Sequence, residues 1–191
     1  MLADALRAAG VDCITTCEPG GTPLGRSLRA AFLETRETVS PMAELLLFAA
    51  DRAQHVEFLI KPSLAAGKVV ISDRYADATF AYQGAGRGFV EESVNKVIEL
   101  ATGGLKSDLT LFFDITVEEA LRRMLARDES QAKKNRMDEE TAEFYARVRE
   151  AYLRIAVREP DRFRVINASG DIEEIQQNVR EVVTEILGNS F

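Results

Sequence analysis

Apolar residues recur along the chain in two patterns that predict alternating helices and strands. Apolar positions three and four residues apart predict helices over residues 2–9, 22–33, 41–66, 94–100, 116–126, 138–158 and 171–187. Short runs of Val, Ile, Leu and Phe predict strands over residues 11–16, 69–72, 109–115 and 164–168. Because a helix follows each strand, the pattern predicts an α/β fold with a parallel sheet and helices on both faces.

Two further expectations follow from the same pattern. Residues 69–72 form a compact β-branched run that is typical of a fully buried strand. The glycine-rich segment 83–88 is expected to be a loop. Since no repeat, low-complexity tract or linker interrupts the chain, residues 1–191 are predicted to form a single domain.

The charge balance narrows the classes of function. The chain has 24 Lys and Arg against 31 Asp and Glu, and its net charge of −7 disfavours nucleic acids and anionic membranes as partners. No apolar run approaches the roughly 20 residues that span a bilayer. The two cysteines, Cys13 and Cys17, form no disulfide or metal-binding pattern, so a reduced, cytoplasmic protein is expected.

Polar residues follow the first two predicted strands. Glu18-Pro19-Gly20-Gly21-Thr22 comes after the first strand, and Asp73-Arg74-Tyr75 comes after the second. Because ligands bind at the carboxyl ends of parallel strands, these carboxylate and arginine groups favour a site for a phosphate with Mg²⁺. The alternative interpretation is a turn before a helix and an ordinary ion pair.

The predicted helix over residues 41–66 carries a second candidate group. Phe48 and Arg52 are four residues apart and share a helix face, where a ring and a guanidinium could hold a planar base. The alternative is that Phe48 belongs to the core and Arg52 to the solvated surface. His55 is the only histidine, and without a nucleophile pattern beside it the sequence indicates no catalytic role.

Residues 127–136 are strongly polar, with four cations against two anions in an acidic protein. A flexible basic segment of this kind is typical of a lid that closes over a phosphate site. A plain solvated loop is the alternative interpretation.

Taken in order, these segments resemble the thymidylate kinase family over essentially the whole chain. The motifs that carry the resemblance are residues 18–22 (EPGGT), 47–52 (LFAADR), 73–75 (DRY), 81–84 (AYQG) and 107–111 (SDLTL), followed by a lid that contains Arg136. The resemblance implies a P-loop-type nucleoside monophosphate kinase domain over residues 1–191, with a lid at about 127–137. Within the family, the chain resembles the bacterial type, whose catalytic arginine lies in the lid.

The resemblance also implies the reaction and its participants. Such an enzyme phosphorylates dTMP to dTDP with ATP and Mg²⁺ in dTTP synthesis, and family members are commonly homodimers. The long helix over residues 41–66 is the candidate for the dimer interface.

Residue roles follow from matching the motifs position by position. For the base, Phe48 is expected to stack on thymine, and Arg52, Thr79 and Gln83 are expected to contact it. Tyr82 matches the position beside the sugar, where its ring disfavours a ribose 2′-hydroxyl. Glu18, in the motif over residues 18–22, is also expected to contribute to substrate binding.

The remaining matches concern phosphate groups. Arg74 and Arg29 match positions that hold the dTMP phosphate, and Asp73 is expected to organise Mg²⁺. Arg127 and Arg136 match lid arginines, with Arg136 expected to stabilise charge on the transferring phosphoryl group.

Two departures from the family pattern change the expectations. Cys17 occupies a position where the family usually has an arginine directed at the dTMP phosphate. The chain also contains no G-x-x-x-x-G-K-[ST] sequence, so the family's first strand and ATP-binding P-loop, about 20 residues, are expected to be absent from it. Two alternatives therefore stay open: a kinase for another nucleoside monophosphate, and a non-catalytic dTMP-binding protein.

Overall fold

A computed structural model describes residues 1–129 and 136–188, without the side chains of residues 127–129. The helices are α1 (Leu2–Ala8), α2 (Pro23–Leu33), α3 (Pro41–His55), α4 (Lys61–Ala65), α5 (Ala76–Thr79), α6 (Glu91–Thr102), α7 (Val117–Glu129), α8 (Ala142–Arg158) and α9 (Ile172–Leu187). The strands are β1 (Cys13–Cys17), β2 (Val69–Asp73), β3 (Thr110–Asp114) and β4 (Phe163–Asn167). The predicted alternation of strands and helices is confirmed. None of the helices in these residues is long and apolar enough to cross a membrane.

Local sequence signals set most of the helix ends. The side chains of Ser40, Thr141 and Asp171 each accept a hydrogen bond from the backbone three residues on, which fixes the first turns of α3, α8 and α9. Thr116 caps α7 in the same way, as its side chain accepts from the Glu119 N–H at 3.3 Å. The Glu119 carboxylate pairs instead with two arginines of its own helix, so only half of the capping box forms.

The helix predicted over residues 41–66 is continuous but changes its winding. A π-helical turn over Val56–Ile60 separates α3 from α4, and Pro62 lies in the first turn of α4. Proline has no backbone N–H, and its ring clashes with the carbonyl four residues before it. A wider turn ahead of Pro62 accommodates both effects.

The strands are parallel as predicted, but in the described residues they form two separate pairs. Strand β1 pairs with β2, and β3 pairs with β4. One apolar core spans both pairs, since Cys13 of β1 and Ile166 of β4 belong to the cluster that α1 and α9 cover. Strand β2 is only half-buried, so the prediction of a fully buried strand is wrong, and the reason is that β1 is its one hydrogen-bonded neighbour in this part of the chain.

Residues 83–86 of the glycine-rich segment are helical rather than the predicted loop, and residues 87 and 88 form the turn that follows. Residues Phe80–Gly86 continue α5 as π-helical turns and pack against α8. Gly86 lies under the Phe144 ring, where a Cβ atom would meet ring carbons at 2.6 and 2.8 Å. Close packing of α8 on the bare glycine backbone thus outweighs the weak helix propensity of glycine.

Alanine substitutions at two glycines of this segment test that explanation. Gly86→Ala is expected to lower the free energy of unfolding by about 1–3 kcal/mol, because the buried Phe144 ring must move. Gly84→Ala is the matched control, since its Cβ would lie 3.9 Å from Val94 in ordinary contact. Urea unfolding measures both changes, and an equal loss in the two variants would contradict the packing explanation.

Candidate active site

The loop after β1 is held close to α3 by buried hydrogen bonds. It begins with a cis Glu18–Pro19 peptide bond and continues through Gly20, which has a φ of 113° that favours glycine. The Gly20 N–H donates to Asp51 Oδ1 at 3.1 Å. Arg29 of α2 donates to the Pro19 carbonyl at 2.9 Å and packs over Gly20. The loop therefore presents its backbone against α3 and places Arg29 beside it.

Arg52 is the centre of the buried polar network. Its side chain is 2% exposed, and its Nε donates to Glu18 Oε2 at 2.8 Å. Its two terminal nitrogens donate to Thr79 Oγ1 at 2.8 Å and to the Tyr75 carbonyl at 3.0 Å. Arg52 thus joins three segments: the loop after β1, the turn after β2, and α5. The interpretation of Arg52 as a solvated surface residue is wrong.

His55 belongs to the same buried network. The sequence indicated no role for this residue. Its Nδ1 is 2.8 Å from Glu18 Oε1, and its Nε2 is 2.7 Å from Thr16 Oγ1. The side chain is completely buried. The sequence analysis missed it because its two partners lie 37 and 39 residues away in the chain.

Asp51 is the neighbour of Arg52 and is also buried. Its Oδ1 accepts from Gly20, whereas its Oδ2 has no hydrogen-bond partner among the described residues. Burial raises the pKa of Asp51 above the usual range, and the negative charge of Glu18 adds to the effect.

A cleft brings together seven of the residues that the resemblance pointed to. It is lined by Glu18, Phe48, Arg52, Arg74, Thr79, Tyr82 and Gln83, together with Ala78. Phe48 packs edge-on against Phe32 with a centroid distance of 4.9 Å, so the core holds the ring at the cleft wall. The lining of the cleft accordingly combines aromatic rings with hydrogen-bonding groups.

Arg74 and Tyr82 form the mouth of this cleft. Arg74 has a φ of 72°, which is uncommon for a residue with a side chain. Its guanidinium lies over the Tyr82 ring at 4.6 Å from the centroid, and one nitrogen is 3.3 Å from the Tyr82 hydroxyl. The unusual backbone conformation directs Arg74 over the tyrosine next to the end of β2.

Asp73 lies at the carboxyl end of β2, in register with Cys17 of β1. Its carbonyl accepts from the Glu18 N–H at 2.9 Å, which ties the two strand ends together. The Asp73 side chain is exposed, and no described residue pairs with its carboxylate. Although it does not line the cleft, it is next to Arg74, which does.

A second buried charge cluster surrounds Glu44 of α3. Its carboxylate accepts from Arg87, Arg136 and Gln83. Burial by itself would raise the pKa of Glu44, but the hydrogen bonds from these three residues outweigh it and hold the pKa below the usual range. Arg136 also donates to the Phe32 carbonyl at 3.3 Å, so its guanidinium is bound to the protein and does not face the cleft.

Two predictions from the sequence concern the lid and the metal ion. Arg127 lies near the end of α7, and its side chain is outside the described residues, as are residues 130–135 of the expected lid. In the described residues, no group of three or more His, Cys, Asp or Glu side chains forms a metal site.

Three site residues that the sequence analysis missed lie on the same face of α3 as Phe48 and Arg52. The positions 44, 48, 51, 52 and 55 recur with helical spacing, and all five are at most 8% exposed. Four of them are polar or charged, although core-facing positions of a helix are normally apolar. Polar residues at helix positions that normally face the core were the sequence pattern that could have identified Glu44, Asp51 and His55.

Replacing the buried Glu44 carboxylate tests its contribution to stability. Glu44→Gln is expected to lower the free energy of unfolding by about 1–3 kcal/mol at pH 7, because the two arginines lose a charged partner. Since the pKa of Glu44 is lowered in the folded state, this contribution is present above about pH 4.3 and is lost as the pH falls through the folded-state pKa.

The measurement is urea unfolding of both proteins between pH 7 and pH 3.5. Glu57→Gln serves as the control, because Glu57 forms an exposed pair with Lys61 that should contribute less than about 1 kcal/mol. A stability difference between wild type and Glu44→Gln that does not shrink in acid would contradict the assignment.

Comparisons with known proteins agree with the geometry. A family model described as thymidylate kinase matches residues 1–179. The chain is 45% identical over 183 residues to the thymidylate kinase of Nitratidesulfovibrio vulgaris, covering 94% of this chain and 85% of that protein. It is also 45% identical over 183 residues to the one from a Synechococcus strain, with 96% and 85% covered.

A solved structure gives the same result. The crystal structure of thymidylate kinase from Ehrlichia chaffeensis superimposes with a TM-score of 0.72 at 31% identity, over 96% of this chain and 85% of that one. The chain therefore belongs to the thymidylate kinase family and is a phosphotransferase.

Proposed function

We propose that this chain binds dTMP in the cleft between α3 and the helix after β2, and that it transfers the γ-phosphoryl group of ATP to dTMP in dTTP synthesis. Phosphorylation of dTMP to dTDP is the reaction of the family to which the chain belongs. The single observation that carries the assignment to this cleft is the buried Arg52 guanidinium between Glu18 and Thr79, with Phe48 on the same wall.

The hydrogen-bonding groups at the cleft are suited to a pyrimidine base. Arginine has five N–H donors, and described residues accept from three of those on Arg52, which leaves two. Thr79 accepts from Arg52, so its hydroxyl hydrogen is free to donate. Gln83 donates to Glu44, which fixes the orientation of its amide and leaves its carbonyl oxygen as an acceptor. Thymine offers carbonyl acceptors and one N–H donor along its edge, so both kinds of group would be matched.

The phosphate end of dTMP is assigned to two arginines. Arg74 lies at the cleft mouth over Tyr82, and Arg29 lies beside the loop after β1. Guanidinium groups bind phosphate through paired hydrogen bonds, which supports this role. Tyr82 between the base end and Arg74 is assigned to the sugar.

The exposed Asp73 carboxylate fits a magnesium ion. Mg²⁺ usually takes one or two carboxylates, keeps several waters and binds substrate phosphates, so a single unpaired carboxylate beside Arg74 is a suitable donor. When bound, the ion would neutralise charge on the phosphate oxygens. No residue of this chain is assigned to the ATP phosphates, because no P-loop sequence occurs in it.

Arg136 is proposed to stabilise the transferring phosphoryl group, with Arg127 in the same lid. Phosphoryl transfer proceeds through a loose transition state that depends on positioning and cations. In this role Arg136 must leave Glu44, and Arg87 then keeps Glu44 paired. The exchange gives Arg136 two positions that differ by one ion pair.

A direct assay of phosphoryl transfer tests the function. The protein is incubated with ATP, Mg²⁺ and each of dTMP, dCMP and dGMP, and nucleoside diphosphates are separated by chromatography. We expect dTDP to form faster than dCDP or dGDP. A higher rate with dCMP or dGMP would instead indicate a kinase for another nucleoside monophosphate.

Titration calorimetry with dTMP separates binding from turnover. Arg52→Lys is expected to weaken dTMP binding about ten- to a hundredfold, because lysine cannot reproduce the fork that holds Glu18 and Thr79. Arg180→Lys, at an exposed position of α9, is the matched control and should bind as wild type does. Tight dTMP binding without dTDP formation would favour the alternative of a non-catalytic dTMP-binding protein.

We propose further that the protein is a homodimer in the cytoplasm. An exposed apolar stripe runs along α3, formed by Met42, Leu46, Ala50 and Ala53. The stripe lies on the opposite side of the helix from the polar site face, so a partner could cover it without closing the cleft. The two free thiols, Cys13 and Cys17, are compatible with a reducing compartment.

A charged residue in the stripe tests the dimer. Leu46→Glu is expected to shift the protein to monomers in sedimentation velocity, because an interface would bury the new carboxylate. Val157→Glu, which replaces an apolar residue that is 83% exposed on α8, should leave the association state unchanged. If Leu46→Glu sediments as the wild type does, α3 is not the interface.

A further inference from the structure

We propose that His55 is a positioning residue for dTMP recognition, which acts by holding Glu18 so that Arg52 presents its remaining N–H groups to the cleft. The inference rests on the proposed function, since it concerns how the same cleft recognises its substrate. His55 does not line the cleft and does not touch the proposed substrate position.

The contact with Glu18 fixes the position of one hydrogen on the His55 ring. A carboxylate of Glu18 can only accept, so the Nδ1 atom of His55, 2.8 Å from Oε1, carries a hydrogen and donates it. The Nε2 atom lies 2.7 Å from the Thr16 hydroxyl, which can donate or accept, so this contact is a hydrogen bond in either direction. The imidazole therefore forms two directed hydrogen bonds on opposite sides, one to β1 and one to the loop after it.

This arrangement occupies both oxygens of Glu18. Oε1 accepts from His55 and Oε2 accepts from Arg52, so the carboxylate cannot rotate without breaking one bond. A fixed Oε2 in turn fixes the Arg52 Nε, and the planar guanidinium then has one orientation in which it also reaches Thr79. The orientation of Arg52 in the cleft thus depends on the ring behind Glu18.

The loop backbone packs tightly against the His55 imidazole, so the ring has little room to adopt another orientation. A Cβ atom on Gly21 would lie 2.6 Å from both His55 Nε2 and Thr16 Oγ1, so the loop backbone packs directly on this hydrogen bond. Thr16 lies on β1 in register with Ser72 of β2, which makes the attachment point a paired strand. The sheet therefore anchors a chain of hydrogen bonds through Thr16, His55 and Glu18 to Arg52.

The competing explanation is that His55 only stabilises the core. A purely structural role predicts that any His55 substitution acts through stability and leaves the folded protein's dTMP affinity unchanged. A positioning role predicts a loss of affinity in folded protein, and it predicts that this loss acts through Arg52. The two roles differ in a double-mutant cycle.

The experiment measures dTMP affinity by titration calorimetry, with thermal unfolding in parallel to confirm that each variant is folded. His55→Leu is expected to weaken dTMP binding at least tenfold, and His55→Gln, which can both donate and accept, is expected to recover part of it. In the Arg52→Lys background, His55→Leu should cause less than a twofold further loss. Val183→Ala, in the separate core under α9, is the control for lost stability and should retain wild-type affinity.

The outcomes separate this inference from the proposed function. If the wild-type chain does not bind dTMP, the proposed function fails. If the wild type binds and His55→Leu binds equally well, or if the losses in His55→Leu and Arg52→Lys simply multiply, only the positioning role is overturned. Should His55→Leu fail to fold, Thr16→Val removes a single hydrogen bond to the ring. Wild-type dTMP affinity in both single variants, Thr16→Val and His55→Gln, would then overturn the proposal.

Discussion

The ion pair between Glu18 and Arg52 is the interaction on which the rest of the site depends. Both side chains are 2% exposed, and unpaired charges at that depth cost several kcal/mol each. Their burial is possible because each remaining polar atom has a partner: His55 for Glu18, and Thr79 and the Tyr75 carbonyl for Arg52. The pair consequently requires the loop after β1, α3 and the turn after β2 to be in place together.

A second buried carboxylate organises the other end of the same helix face. The Glu44 carboxylate accepts from Gln83 and Arg87, at the end of the helix after β2, and from Arg136, which lies just before α8. Phe48 lies between the two charge clusters and packs on Phe32, so an aromatic core separates them. One helix face thus carries the buried Arg52 network at one end and the Glu44 cluster, with its bound Arg136, at the other.

The loop and turn that supply Glu18 and Arg74 to the cleft follow the β1–β2 pair. Cys17 and Asp73 are register partners at the carboxyl ends of these strands, and the Glu18 N–H bonds the Asp73 carbonyl directly beyond them. The strand ends therefore bring together two motifs that are more than 50 residues apart in the chain. The β3–β4 pair shares the core under α1 and α9 but supplies no residue to the cleft.

The sequence by itself determined the elements and the motifs at strand ends, because helix spacing, β-branched runs and side-chain caps act over a few residues. It located Glu18, Phe48, Arg52 and Arg74 through strand-end position and helix spacing, and the cleft unites them. The tertiary structure alone decided that residues 83–86 are helical, that the strands form two pairs, and that His55 and Glu44 hold the site residues. These features depend on contacts between residues some 35 to 90 positions apart in the chain. A charged side chain can be buried only where the folded chain brings all its hydrogen-bonding partners together, because an unpaired buried charge is strongly destabilising.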